Sequence, residues 1–513
     1  MLVYILRRLA AALLILFAAT FLVFVLVTYA GDPLKEFRES ADPSAKALMA
    51  AREKALHLDI PLIPRYFMWL RGAVGCLNPL GNTCDLGHTF SGQLVTEALG
   101  NAIVQTLILI TAATILSILI GIALGVVAAL RQNSTVDYGI TFIAFLSFSL
   151  PSFWIAVLLK EFGAIGFNNF LQDPTLSVAT IVVVGVVAGV IWYLASYGRR
   201  GTRLLFGGIG FVLTVLVLFG VSATRWLARP SLGIPLILVL GVATALLLTS
   251  LVSGLRNRRA LWSGLVVVAI GLGVYFPIQT VLGQATWWLI IGLGILALVI
   301  GAVVGWLFGG YDRGQNIKVS MMTALVISLL VFADRMMQSW PAYVANGRIS
   351  GRPIATANSA TPGLSGDLWI TGIDRFTHLV LPTIALTLLA LASYSRYSRA
   401  SMLEIMSQDY IRTARAKGVS ERSVVVKHAF RNALIPLATL IAFDIGGIIG
   451  GAVVTESVFG FSGMGNLFVK SLGGLDIYPI MGFFLVTGLT AMVFNLVADL
   501  VYSVLDPRVR VKA

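Results

Sequence analysis

The sequence has few charged residues for its length. Of its 513 residues, 12% are Asp, Glu, Lys or Arg and 58% are hydrophobic, whereas roughly a quarter of the residues in soluble domains are charged. A transmembrane β-barrel is excluded as well, because its strands form alternating segments of about ten residues. The chain has continuous apolar runs instead, and each is long enough for a helix to cross a bilayer. The sequence therefore predicts an all-α polytopic membrane protein.

The chain also lacks the motifs of nucleotide hydrolysis and metal binding. It has no Gly-x-x-x-x-Gly-Lys-Ser/Thr loop, and no glycine is followed by lysine anywhere, so the usual phosphate cradle is missing. Neither His-Glu-x-x-His nor Cys-x-x-Cys occurs, and the four histidines are scattered (His57, His88, His378 and His428). We therefore expect no catalytic residue, no metal site and no cofactor in this chain.

Cysteine is almost absent. The two cysteines, Cys76 and Cys84, flank the stretch LNPLGNT in a loop that we predict to be external. A disulfide in an oxidising compartment and two unrelated free thiols both agree with this spacing.

The positive charge is distributed in a way that indicates membrane topology. The net charge is +14, but the basic residues cluster in short loops between apolar runs, which favours cytoplasmic loops over polyanion binding. Arg7 and Arg8 precede the apolar run 9–29, which is longer than the core of a signal peptide. We expect an uncleaved first span with a cytoplasmic N-terminus.

The apolar runs predict about twelve spans, and alternating them from a cytoplasmic N-terminus leaves both termini inside. The predicted spans are 9–29, 101–130, 139–160, 175–196, 203–222, 232–254, 260–281, 285–309, 317–337, 378–396, 432–455 and 479–504.

One predicted cytoplasmic segment, 397–431, is strongly basic. Between Arg396 and Arg431 there are eight basic residues and three acidic ones, an imbalance typical of the cytoplasmic side. Taken alone, this segment could be a basic amphipathic connector that rests on anionic lipid.

Two short helices are predicted within this segment. The first has Tyr410, Ile411 and Ala414 on one face, and Gly418 suits its C-cap. Ser420 is placed to N-cap the second helix, which continues into the next span.

Several blocks of this chain resemble the B-type permease subunit of the dipeptide/oligopeptide/nickel class of ABC importers. QDYIRTARAKGVSE followed by HAFRNALIPL is similar to the EAA loop of these permeases. Further similar blocks, in the same order, are MLVYILRRL, CDLGHTFSGQLVTEAL, SFSLPSFW, HLVLPTIAL, GGAVVTESVFGFSGMG and NLVADLVYSVLDPRVR. The resemblance covers about residues 1–165 and 365–513. It implies a type I importer permease core of six spans.

The resemblance implies that the loop's first helix docks into a groove on a cytoplasmic ATPase subunit. On this interpretation, Tyr410, Ile411, Ala414 and Ala416 form a small apolar knob. The residues implied in ATPase coupling are Tyr410, Ile411, Arg412, Ala414, Arg415, Ala416, Lys417, Gly418, Ser420 and Glu421. Arg412, Arg415 and Lys417 could pair with acidic groups around the groove. Arg412 replaces the glutamate that gives the loop its name, as is usual in the peptide branch.

About six predicted spans exceed this core. We therefore divide the chain into a first half of the core (1–165), an inserted transmembrane bundle (166–340) and a second half of the core (341–513) that includes the coupling loop 397–431. We expect the insert to be a lipid-facing scaffold or a docking surface, and within it we expect Asp334–Arg335 to be an interfacial pair.

A few polar or kinking residues lie within the predicted core spans. We interpret Pro151, Trp154, Asp444 and Asn101 as lining the translocation path. For Asp444, contact with a substrate amine and a hydrogen-bonded packing role both remain open.

The sequence thus predicts a subunit of an ATP-driven importer that moves di- or oligopeptides by alternating access. The implied partners are a second permease, two cytoplasmic ATPase subunits that hold ATP and Mg²⁺, and an extracytoplasmic peptide-binding protein, all at the cytoplasmic (inner) membrane. The alternatives are nickel or glutathione import within the same class, an ion-coupled secondary transporter, or a membrane-embedded enzyme.

Overall fold

The computed structural model describes residues 2–39, 42–76, 84–196, 198–310 and 312–505. Within these ranges the regular structure is helical, apart from an isolated β-bridge between His88 and Leu94. The prediction of an all-α fold is confirmed.

Twenty-three α-helices and two π-helical segments make up this part of the chain. They are α1 (Leu2–Ala30), α2 (Lys35–Arg38), α3 (Ala45–Ala55), α4 (Leu62–Gly75), α5 (Val95–Leu130), α6 (Thr135–Ser149), α7 (Ser152–Leu158), π1 (Leu159–Gly166), α8 (Phe167–Gln172), α9 (Val178–Ala195), α10 (Arg200–Ala223), α11 (Gly233–Val252), α12 (Arg258–Gly273), α13 (Tyr275–Leu282), α14 (Trp287–Leu307), α15 (Arg313–Gln338), α16 (Trp340–Val344), α17 (Leu368–Met406), α18 (Asp409–Ala416), α19 (Glu421–Ser423), π2 (Val424–Phe430), α20 (Arg431–Gly451), α21 (Val453–Val458), α22 (Met464–Gly473) and α23 (Ile477–Leu505).

The long helices agree with the predicted spans. In the described part of the chain, nine helices are long and apolar enough to cross a membrane, or up to eleven if each of two bent pairs counts as one span. All twelve predicted spans overlap helices, but the predicted span 432–455, which overlaps α20, is not among these nine to eleven. A helix is the expected form here, because the bilayer core offers no water to the backbone.

One span is broken at Pro151. The axes of α6 and the helical segment Ser152–Gln172 differ by 103° at this point. Proline has no backbone N–H and clashes with the preceding turn, so the predicted kink is present and is larger than a simple bend.

The contacts within the chain form two units. The first, which we call the core unit, comprises residues 1–164, 356–359 and 378–513, and the second, the inserted unit, comprises residues 165–355 and 360–377. The first segment of the core unit ends at residue 164, and the predicted first half of the core ends at residue 165.

The second boundary differs from the predicted start of the core's second half at residue 341. Within the inserted unit, the hydroxyl of Tyr343 lies 3.2 Å from the carboxylate of Asp374 and 3.1 Å from the hydroxyl of Thr377. These buried hydrogen bonds hold the chain on both sides of the polar loop in the inserted unit.

The largest buried cluster of the core unit joins α1, α4, α5 and α23. Tyr66 is fully buried in it, with its hydroxyl 2.9 Å from that of Thr20 and its ring against that of Phe24, and the cluster also contains Val95 and Met481. The segment between α1 and α5 is therefore fixed to the spans. The cysteines at its end, Cys76 and Cys84, form a disulfide with an S–S distance of 2.05 Å.

Asp334 is fully buried in the inserted unit, but it is not paired with Arg335 as expected from the sequence. Its carboxylate accepts hydrogen bonds from the backbone N–H groups of Leu232 and Gly233, at 2.6 and 3.2 Å, and from the side chains of Tyr275 and Gln338. Neighbouring residues on a helix point in different directions, so Asp334 fastens α11, α13 and α15 together.

Candidate functional site

The first helix of the basic segment, α18, ends in a complete Schellman motif. Gly418 has a φ of +75°, a conformation that side chains other than glycine rarely adopt. The N–H of Gly418 donates to the carbonyl of Arg415 at 2.9 Å, and the N–H of Val419 donates to that of Ala414 at 3.2 Å. These two bonds define the motif and agree with the predicted C-cap.

The apolar face of α18 points into the core unit. Ile411 is fully buried against Met402, Val424 and Ala433, and Ala414 packs at the edge of the same cluster. The prediction that Ile411 and Ala414 belong to an outward knob therefore needs correction. An apolar stripe shows which face is covered, but it does not show by what.

The outward face of α18 is smaller and more polar than the predicted knob. Tyr410, Arg412, Ala416 and Lys417 are exposed. Arg415, Gly418, Ser420 and Glu421 are exposed as well, so of the ten residues implied in coupling only Ile411 is buried and only Ala414 is half-buried.

Arg415 has a partner within its own chain. Its guanidinium makes two hydrogen bonds to the carboxylate of Glu421, at 2.6 and 3.1 Å. The hydrogen bonds from Arg415 also lower the pKa of the Glu421 carboxyl. The pair bridges the turn after α18, so Arg415 and Glu421 fix the shape of the segment. Because Arg415 already pairs with Glu421, an acidic group of another protein would have to compete for its guanidinium.

The second helix of the segment is continuous with a span. Ser420 occupies the predicted N-cap position, but its side chain makes no capping hydrogen bond. Three residues of α19 lead into π2 and then directly into α20. The side-chain amide of Asn432, in the first turn of α20, donates to the hydroxyl of Tyr410 at 2.9 Å. This hydrogen bond links α18 to α20, so a movement of α18 is transmitted to α20.

Three further contacts fasten α17, which leads into α18, to neighbouring spans. Ser401 donates to the carbonyl of Ala433 in α20 at 3.0 Å, and Ser398 donates to that of Ile122 in α5 at 3.2 Å. Arg399 donates two hydrogen bonds, of 2.8 and 2.9 Å, to Asp137 in the first turn of α6. A bidentate pair of this kind fixes both side chains, so α5, α6, α17 and α20 all connect to the base of α18.

The four residues predicted to line the translocation path differ in their exposure. Pro151 and Trp154 are exposed at the break between α6 and α7, and Asn101 is exposed in α5. Asp444 is half-buried in α20 and hydrogen-bonded to the buried hydroxyl of Tyr394 in α17. This contact favours the packing role for Asp444.

A buried carboxylate that the sequence argument missed lies in the block GGAVVTESVFGFSGMG. Glu456 is fully buried and accepts hydrogen bonds from the hydroxyl of Thr106 at 2.6 Å and from the backbone N–H of Gly465 at 2.7 Å. A Cβ at Gly463 would meet this carboxylate at 2.4 Å. The only signal in the sequence was an acidic residue at the end of a predicted span.

Metal ligands do not converge in the described ranges. No group of three or more His, Cys, Asp or Glu side chains there is arranged to hold an ion.

Comparisons with known proteins identify the family of the chain. Residues 320–511 match the family described as binding-protein-dependent transport system inner membrane component. The oligopeptide transport system permease protein OppB of Mycobacterium tuberculosis is 36% identical over 244 residues, which are 46% of this chain and 74% of that protein. The chain belongs to this family.

Two other relatives are similar to this permease. The dipeptide transport system permease protein DppB of Escherichia coli is 36% identical over 237 residues, 43% of this chain and 70% of that protein. The oligopeptide transport system permease protein AppB of Bacillus subtilis is 44% identical over 136 residues, 26% of this chain and 43% of that protein.

The resemblance seen in the sequence is thus confirmed, and this multi-pass membrane protein is a permease subunit of an ABC importer system. It is a transport component and not an enzyme.

Proposed function

We propose that this permease moves di- or oligopeptides across the cytoplasmic membrane by ATP-driven alternating access, together with a second, related permease. Two cytoplasmic ATPase subunits supply ATP, Mg²⁺ and hydrolysis, and an extracytoplasmic binding protein delivers the peptide. Both termini are cytoplasmic in this scheme. The relatives named for oligopeptide and dipeptide transport support the substrate class.

The observation that carries the proposal is the connection of α18 to the spans. The exposed residues of α18 are available to an ATPase subunit, while its buried residue Ile411 packs against the ends of α17 and α20. Interiors are close-packed and transmit displacement. A push on α18 therefore reaches several spans at once.

Two alternative functions have less support. Nickel import lacks a ligand cluster in the described part of the chain. A secondary transporter needs an ionisable relay near the middle of the membrane, and Asp444, the strongest sequence candidate, is hydrogen-bonded to Tyr394.

Reconstitution into proteoliposomes tests the proposal. With both permeases, both ATPases and the binding protein, we expect uptake of labelled peptide that requires ATP, and we expect none when the ATPases are omitted. Ala416→Glu, on the exposed face of α18, should abolish uptake without changing membrane insertion. Uptake by this chain alone, independent of ATP, contradicts the proposal.

Gln132→Glu is the matched control. Gln132 is exposed in the loop between α5 and α6, which is predicted to be cytoplasmic, so the variant adds the same charge outside α18. We expect it to transport at the wild-type rate.

A further inference from the structure

A cleft in the core unit lies between α5, α6 and α17. It has a volume of about 170 Å³, and its walls are mainly apolar, with Ile140, Ala144, Phe145 and Phe148 contributed by α6. The cleft is smaller than a typical site for a whole small ligand, but like such sites it combines apolar walls with a few polar groups.

Two arginines line this cleft, and their surroundings differ. Arg399 makes its bidentate ion pair with Asp137. Arg396 is exposed, with its guanidinium carbon 5.3 Å from the ring centre of Phe148 and 5.9 Å from that of Tyr397. None of the ion pairs between described residues involves Arg396.

Arg396 is the last residue of the predicted span 378–396, and its guanidinium reaches Phe148 on α6. Phe148 lies eleven residues after Asp137, or about 16 Å along α6 at 1.5 Å per residue, and only three residues before the break at Pro151. Charged side chains and broken backbone at membrane depth occur where they face protein or a water-filled cavity. We therefore expect the side chain of Arg396 to face protein or water and not lipid.

We propose that Arg396 binds the C-terminal carboxylate of the transported peptide in this cleft. The inference rests on the function proposed above and adds a recognition site to it. The guanidinium fork matches a carboxylate in two hydrogen bonds, and Phe145 and Phe148 offer a surface for apolar side chains. Because every unmodified peptide ends in a carboxylate, such a site accepts many sequences.

The experiment compares two forms of one peptide, a free acid and its C-terminal amide, in the fully reconstituted transporter. Uptake rates at varied concentration give kcat/KM for each form. Arg396→Gln should lower kcat/KM for the acid by about tenfold, as expected for loss of a charged hydrogen-bond partner, and leave the amide unchanged. Arg396→Lys should retain part of the preference. A preference set by the binding protein alone is the same in all variants, so an unaltered ratio overturns the inference.

A second variant guards against misfolding of the first. Phe148→Glu places a competing carboxylate beside Arg396 without removing the cation, and it should also lower the acid-to-amide ratio. Arg256→Gln, which removes an exposed arginine of the inserted unit, is the control and should leave the ratio at the wild-type value.

The remaining outcomes separate the possible failures. If wild-type transporter takes up neither peptide, the proposed function itself is contradicted. If Arg396→Gln keeps the ratio but loses the extra thermal stability that wild type gains in anionic over zwitterionic vesicles, the cation serves a lipid phosphate and the inference is overturned.

Discussion

Buried carboxylates carry much of the specific information at the scale of single residues. Asp476 lies just before α23 and accepts the backbone N–H of Phe90 at 2.7 Å, while its other oxygen is buried without a hydrogen bond. Burial raises the pKa of this carboxyl to about 6. The protonated form is therefore favoured by folding.

The raised pKa gives a pH dependence of known sign. A carboxyl whose pKa is higher in the folded state contributes stability at low pH and loses it as the pH rises from about 4 to 6. Up to about 3 kcal/mol is at stake, at 1.36 kcal/mol per pKa unit. Asp476→Asn keeps an acceptor for Phe90 and cannot ionise. We expect its melting temperature, relative to wild type, to be higher at pH 7.5 than at pH 4.5.

The exposed Asp59 provides the control. Asp59→Asn should differ from wild type by the same amount at both pH values. If Asp476→Asn behaves in the same way, the carboxyl is not held in its protonated form.

Glu456 holds α5, α21 and α22 together, and its replacement should lower the stability of the fold. Glu456→Ala leaves the buried N–H of Gly465 and the hydroxyl of Thr106 without their acceptor. Hydrogen bonds to a carboxylate contribute about 1.5–3 kcal/mol. We expect a clear fall in melting temperature, a smaller fall for Glu456→Gln, and almost none for the exposed control Glu53→Ala. Equal effects at residues 456 and 53 would refute the structural role.

At the scale of elements, the end of α18 depends on one glycine. No atom lies within 4 Å of a Cβ built at Gly418, so the cost of a side chain there comes from the backbone conformation alone. That cost is about 1–2 kcal/mol for alanine. We expect Gly418→Ala to increase amide hydrogen exchange of α18 by about 5- to 30-fold, and Gly418→Asn to do so less.

Gly139 is a suitable comparison for this experiment. It lies inside α6 with no atom within 4 Å of its Cβ position, and alanine is a better helix former there. Gly139→Ala should leave exchange in α18 unchanged. If Gly418→Ala also has no effect, the C-cap does not hold the helix.

The sequence predicted the positions of the helices better than the residues against which they pack. Apolar runs were sufficient to predict where the long helices lie, and Gly418 was sufficient to predict where α18 ends, because both depend on local chemistry. The direction in which Ile411 and Ala414 point depends on Met402 and on α20, which periodicity does not reveal. Glu456 was missed for the same reason, since its partner Thr106 is 350 residues away.

At the scale of the whole molecule, the contacts divide the chain into two helical units. The prediction of six additional spans, an even number, would return the chain to the same side of the membrane and preserve the core topology. Most of the loop between Tyr343 and Asp374 belongs to the inserted unit, apart from residues 356–359, although its composition of Gly, Pro and Ser gave no such indication. Composition reports that a segment is a loop, whereas tertiary hydrogen bonds decide which unit it joins.

The central claim is that the exposed face of α18 contacts an ATPase subunit. Cross-linking from single introduced cysteines in the assembled transporter tests it most directly. Ala416→Cys and Arg412→Cys should cross-link to the ATPase, whereas the buried Ile411→Cys should not, and neither should Gln132→Cys in the loop between α5 and α6. Cross-linking from position 132 but not from 412 or 416 would contradict this account.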